Sequence, residues 1–281
     1  RMPAPPLLKR DWQKDHVYLV QFPRAGCIPS ASPFALKLET WLRLCKIPYT
    51  NISNEFTKMS EKGQIPFIEL NGRHYADSVQ IIDVLKHEFK KDPEAMLNPL
   101  EKAQAVAFRA LIEDTIFWAI PYNRSRNAKW FITEKGFGGH VTGIKKLLFE
   151  KIAFPKLMKT IKSKCHAQGI GRHTQLEVEK AAKEQFDALE NFIGSKSFFF
   201  GEIPTTLDIT AFGHLQQFLH TPMASEELKM HLEQKCPNLT RMVNRLKDEF
   251  WPDWDEACSK LSLATTMEGA EAAVEAAVAA E

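Results

Sequence analysis

An abrupt change of periodicity near residue 100 constrains this chain more than any other feature. Upstream, short β-prone runs alternate with single amphipathic helices, whereas every apolar pattern after Leu100 repeats at helical spacing. Val17-Tyr18-Leu19-Val20-Gln21-Phe22 reads as a strand that stops at Pro23. A Gly/Pro/Ser loop then leads into Phe34, Leu38, Trp41, Leu42 and Cys45, spaced as one face of a helix. Ser32 stands where an N-cap belongs, Pro33 sits in the first turn, and Ile47-Pro48 ends the element. Tyr49-Thr50-Asn51-Ile52 is a second strand. Residues 65–70 and 73–76 form two more, joined by Asn71-Gly72, which supplies the left-handed positions of a tight turn. Asp77-Ser78 opens a helix with Val79, Ile82, Leu85 and Phe89 facing inward, so residues 17–90 read β-α-β-(irregular)-β-β-α.

Downstream, helices are expected over 101–126, 144–162 with Leu147/Leu148, Ile152, Leu157/Met158 and Ile161 facing inward, 176–193, and two later segments. The expected organisation is a leader at 1–15, an α/β domain at 16–92, a linker bracketed by Pro93 and Pro99, an all-helical domain at 100–258, and a flexible Ala/Glu tail at 259–281. With 281 residues, 44% of them apolar, the chain can build the cores of two such domains.

The formal charge of +2 hides segregation: residues 124–164 hold eleven Lys/Arg against two acidic residues, and 265–281 hold four Glu and no base. A solvated surface, or attraction to an acidic leaflet or acidic partner, explains the basic stretch. Nucleic-acid binding is not expected, since neither a recognised motif nor aromatic interleaving accompanies the charge. The five cysteines (27, 45, 165, 236 and 258) lack CxxC or Cys/His ligand spacing, which argues for a reduced compartment and against a disulfide framework or a metal site. No apolar run approaches the roughly 18 residues of a membrane span, so the chain as given is expected to be soluble. Its Arg1-Met2 start leaves an upstream anchor open.

Three signatures resemble the glutathione transferase superfamily. Gln64-Ile65-Pro66 resembles its cis-proline element, Tyr75-Ala76-Asp77-Ser78 its acidic-residue-plus-Ser pair, and the segment from Phe200 to Leu215 its helix-capping motif, with Thr205 and Asp208 at reciprocal spacing. The resemblance implies an α/β thioredoxin-like N-terminal domain plus an all-α C-terminal domain, the glutathione transferase fold. The stretch from Pro29 to Arg43, with Glu113-Asp114, Phe117-Trp118 and the run from Lys62 to Ile68, is similar to the failed axon connections branch, related to metaxins. That branch implies a cytoplasmic or membrane-associated protein of developing axons. It also weakens the enzymatic reading, because metaxins use the fold without the transferase chemistry.

By this resemblance glutathione is the expected ligand. Ile65 beside a cis Pro66 would meet its cysteinyl part and Asp77 with Ser78 its γ-glutamyl end, while Lys58 or Lys62 would reach the glycyl carboxylate. A conjugating activity would need a donor that favours thiolate at the start of the first helix. Ser32 stands there, with Ser30 and Cys27 as alternatives, and simple helix capping by Ser32 is equally open. Asp114, Trp118, Tyr122 and Arg126 are candidates to floor a pocket for a small electrophile or aromatic ligand; alternatively Asp114 pairs with Arg109 or Arg124 and the aromatics are core. Thr205 and Asp208 are assigned to folding. The competing reading is an interaction or scaffold protein of axon development with a vestigial pocket and a basic partner- or membrane-binding surface; a homodimer is left open.

Overall fold

A computed structural model describes residues 6–259 and 266–268. The first domain comprises β1 (Val17–Gln21), α1 (Pro33–Leu44), β2 (Tyr49–Ser53), β3 (Phe67–Leu70), β4 (Arg73–Ala76) and α2 (Ser78–Phe89). β1 and β2 run parallel across the α1 crossover, and β3 and β4 add antiparallel. One core joins Val17, Leu19, Ile68 and Leu70 of the sheet to Leu38, Leu42, Ile81 and Leu85 of the two helices. β3 starts two residues later than the sequence pattern suggests, after a cis Ile65–Pro66 peptide.

The second domain is helical: α3 (Pro99–Ala110), α4 (Phe117–Arg126), α5 (Gly143–Leu148), α6 (Phe154–Gln168), α7 (Gln175–Ile193), α8 (Thr206–His220), α9 (Glu227–Lys235), α10 (Pro237–Phe250) and α11 (Trp254–Ser259). π turns join α3 to α4 (Leu111–Ile116) and α5 to α6 (Phe149–Ala153). An extra residue per turn rotates the helix face before it relative to the face after it. That rotation corrects the expected inner face of 144–162: Leu147, Leu148, Ile152 and Leu157 are exposed, and Phe149, Phe154, Met158, Ile161 and Cys165 pack inward.

Thr205 and Asp208 form the capping box of α8. The Asp208 carboxylate accepts from the Thr205 N–H and hydroxyl and from the Phe199 N–H, all at 2.8 Å. α8 packs directly on α1, and this contact joins the domains. It requires glycine at 213, where a Cβ would stand 2.6 Å from the Pro33 carbonyl oxygen and 2.8 Å from the Lys37 nitrogen.

Two terminal expectations change. Within the expected leader, residues 6–15 dock on the β3–β4 hairpin: the Leu8 and Lys9 N–H groups donate to the buried Glu69 carboxylate at 2.7 and 2.9 Å, and Trp12 lies on Gly72. Within the expected flexible tail, Ser259 ends α11 and β5 (Thr266–Glu268) pairs antiparallel with β2. Residues 1–5, 260–265 and 269–281 lie outside the described residues.

Candidate functional site

Register brings three loops to one edge of the sheet. Val20 of β1 pairs with Phe67 of β3, and Phe67 pairs with Ala76 of β4. The chain leaving β1 toward α1, the cis Ile65–Pro66 peptide entering β3, and Asp77-Ser78 opening α2 therefore all lie at the end of that row.

Asp77 holds φ 81° as the N-cap of α2, and its Oδ1 accepts from the Val79 and Gln80 N–H groups at 3.0 and 3.3 Å. Its second carboxylate oxygen and the Ser78 hydroxyl have no hydrogen-bond partner among the described residues. Lys62 Nζ donates to Gln80 Oε1 at 2.9 Å, so this ammonium sits over the first turn of α2; Lys58 instead pairs with Glu55 at 3.0 Å. The result is a helix N-terminus with uncommitted donors, one free carboxylate oxygen and a cation alongside, a geometry suited to a zwitterionic amino-acid end and a nearby carboxylate.

The start of α1 is more enclosed. Ser32 Oγ accepts from the Ala35 N–H at 3.3 Å, and Ser30 Oγ accepts from the Ser32 N–H at 3.4 Å. Arg124, buried, donates at 2.6 Å to both the Ala31 carbonyl and Gln217 Oε1, and Gln217 Nε2 donates to the Ser30 carbonyl at 3.1 Å. Outside this, the Gly26 and Cys27 N–H groups donate to the Gly136 and Lys135 carbonyls at 3.2 and 3.0 Å. The segment between α4 and α5 thus covers the β1–α1 loop. Ser30 is fully buried, Ser32 is buried with 9% exposed, and Cys27 is half-buried with its thiol pushed up to about 11 by burial.

The expected pocket floor is not brought together. Asp114 is exposed and forms no ion pair among the described residues, including with Arg109 or Arg124. Tyr122 is buried in the helical domain, its hydroxyl donating to the His173 carbonyl at 2.8 Å, and the Arg126 guanidinium lies 3.5 Å over its ring. Trp118 is half-buried against Phe117. From the stretch 109–126, Glu113, Phe117 and Arg124 face the first domain instead. Glu113 binds Lys37 at 2.6 Å, and Phe117 lies 4.9 Å from Phe34, whose ring is edge-on to His214. The π turn at Leu111–Ile116 shifts this face, and the apolar spacing gave no sign of it.

A buried network supports the β1–α1 loop. Glu39 accepts two hydrogen bonds from Arg24 at 2.7 Å each, one from Gln21 at 2.6 Å and one from Tyr49 at 3.0 Å. Burial works against its ionisation, but Arg24, Arg43 and Gln21 prevail and hold the carboxyl at about 2. Arg43 carries the network to the second domain through a bidentate pair with Asp253 and a 3.8 Å stack on Trp251. Elsewhere, Asp187, His231 and Cys236 bring ligand-type atoms within 4.8 Å of one another, a grouping that sequence spacing did not foresee; His231 and Asp187 already satisfy each other at 2.7 Å.

Residues 33–130 match the family of the glutathione S-transferase N-terminal domain, and residues 182–246 that of the glutathione S-transferase C-terminal domain. The chain is 38% identical over 265 residues to Failed axon connections of Drosophila melanogaster, covering 91% of this chain and 63% of that protein, somewhat less than two thirds of its length. It is 25% identical to the isoprene-epoxide–glutathione S-transferase of a Rhodococcus strain, with 79% of this chain and 94% of that protein covered. Metaxin-2 of Mus musculus is 23% identical, with 86% and 91% covered. Among solved structures, a glutathione S-transferase of Ceriporiopsis subvermispora in complex with glutathione shares the fold at a TM-score of 0.58 and 15% identity, covering 83% of this chain and 97% of that one. A glutathione transferase of Phanerochaete chrysosporium gives 0.59 at 13% identity, with 84% and 98% covered.

Proposed function

The chain belongs to the glutathione S-transferase superfamily, in its failed axon connections family, and from that premise we propose that it binds glutathione at the sheet edge and serves in axon development as a recognition protein. The observation that carries this reading is the convergence of Ile65, Asp77 and Ser78 on one edge, with the Ser78 hydroxyl unpaired and Lys62 alongside. The Ile65 backbone would pair with the cysteinyl unit. Ser78 and the α2 N-terminus would take the γ-glutamyl carboxylate, the second oxygen of Asp77 the α-ammonium, and Lys62 the glycyl carboxylate.

Conjugation, where it occurs, falls to Ser32, whose hydroxyl can donate to a thiolate while accepting from Ala35. An electrophile would have to approach where Arg124 and the 135–136 backbone close the β1–α1 loop, and that enclosure favours binding over turnover. A cytoplasmic or membrane-associated site of action in neurons and an ability to form a homodimer belong to the same proposal.

A thermal-shift titration with glutathione, run beside a conjugation assay with an aromatic chloride, tests this. Stabilisation without measurable turnover is expected. Efficient turnover abolished in Ser32→Ala would replace the recognition reading with a transferase, and no stabilisation at saturating ligand would reject the binding claim.

A further inference from the structure

The helix formed by α5, the π turn and α6 has two apolar faces, whereas a surface helix ordinarily has one. The inner face is anchored: Phe149 lies 5.7 Å from Phe56, Phe154 lies 6.5 Å from Phe131, and Met158 and Cys165 are buried. The outer face carries Ile144, Leu147, Leu148 and Ile152, which are 68, 50, 50 and 62% exposed. Their spacing of i, i+3, i+4 and i+8 aligns them in one stripe. Four large aliphatic side chains this exposed within nine residues form a patch of the kind that marks an interaction site.

Charge identifies the partner. Residues 143–164 contain seven lysines and a single acidic residue, Glu150. Among the described residues none of the seven lysines forms a salt bridge, so the charge is not compensated within the fold. Lys145 borders the apolar stripe and Lys151 is interleaved with it, and both are exposed. The stripe is the convex side of a helix rather than a groove, so an acidic peptide would find no cleft to enter, whereas a fluid bilayer conforms to a convex surface. The geometry points to the surface of an anionic phospholipid bilayer as the partner. The stripe enters the headgroup–acyl boundary, and the lysine ammonium groups reach lipid phosphates and carboxylates from aliphatic stems lying along it. This is docking on a membrane and not spanning it, since no helix among the described residues is long and apolar enough to cross one. The helix is already held in place by its inner face, so docking requires no folding step.

Co-sedimentation of the full chain with phosphatidylcholine vesicles, and with the same vesicles containing about one third phosphatidylserine, tests this independently of glutathione. Two variants on exposed positions, Lys145→Glu/Lys146→Glu/Lys151→Glu and Leu147→Ser/Leu148→Ser/Ile152→Ser, are expected to keep the wild-type circular dichroism melting curve. The wild type is expected to sediment only with the anionic vesicles, and each variant to bind at least about tenfold more weakly. Absence of binding to anionic vesicles overturns the proposal, as does wild-type binding by the apolar variant. Capture by a polyglutamate surface without vesicle binding would make the partner a protein, and self-association in the ultracentrifuge that disappears in the apolar variant would make it a second copy; either result overturns the assignment to lipid.

Discussion

Lys37 of α1 and Glu113 of the π turn between α3 and α4 meet at 2.6 Å across the domain boundary, with only 1% of the lysine side chain exposed. Burial pushes the Lys37 ammonium below its ordinary range, and Glu113 opposes that shift. Removing one partner strands a buried charge, so Glu113→Ala is expected to cost about 3–5 kcal/mol in urea unfolding. Lys37→Met combined with Glu113→Leu removes both charges and should recover most of that loss. A single variant of wild-type stability would show that the pair contributes nothing to holding the domains together.

Gly213→Ala tests the same contact from the other side. Its methyl group would meet the backbone of α1 at Pro33 and Lys37, which a rotamer change cannot relieve. A loss of about 1–3 kcal/mol is expected, read as a lower unfolding midpoint.

His214 makes stability pH-dependent. Burial pushes its imidazole down to about 3, and burial with Lys247 pushes His220 down to about 4. Both are held neutral in the fold but accept a proton near 6.5 when unfolded, so their contribution is fully present above pH 6.5 and lost as pH falls, toward about 4 for His220 and about 3 for His214. Each adds a slope of up to about 1.4 kcal/mol per pH unit in that window. Asp208, pushed up to about 6 by burial, acts oppositely between 3.8 and 6, where its stabilisation is lost as pH rises. Comparing His214→Phe with wild type cancels the Asp208 contribution, and the variant is expected to show the shallower dependence.

Cys27 is expected to be inert at neutral pH. With its thiol raised to about 11, its thiolate fraction is roughly a hundredfold below that of a free cysteine. Ellman's reagent should label it correspondingly slowly, and Cys27→Ser should leave glutathione affinity unchanged. Fast labelling at this position would restore Cys27 as a nucleophile.

Features encoded within a few residues were legible in the sequence. The caps at Ser32, Asp77 and Thr205 with Asp208, the Asn71-Gly72 turn and the β-α-β-β-β-α order all follow from local spacing. The helix start at Asp77 and Ser78 was readable because a helix N-terminus is a local object, whereas their ligand role came from the family resemblance. What escaped depends on distant pairings or on helix phase. The Arg24–Glu39 pair spans a loop closed by the second domain, and Lys37 meets a residue 76 positions away. The π turns at Leu111–Ile116 and Phe149–Ala153 moved Glu113 inward in place of Asp114 and turned Leu147, Leu148 and Ile152 outward, since a regular 3.6-residue period contains no information about an inserted residue. The docking of Leu8 and Lys9 on Glu69 spans some 60 positions and left no trace in local composition.

Isothermal titration of the full chain with glutathione, repeated on Ser78→Ala and Ser32→Ala, addresses the central claim most directly. Saturable binding is expected, weakened at least about tenfold, or 1.4 kcal/mol, by Ser78→Ala and little changed by Ser32→Ala. No heat at millimolar glutathione, or a Ser78→Ala variant that binds as tightly as wild type, would contradict a glutathione site at the start of α2.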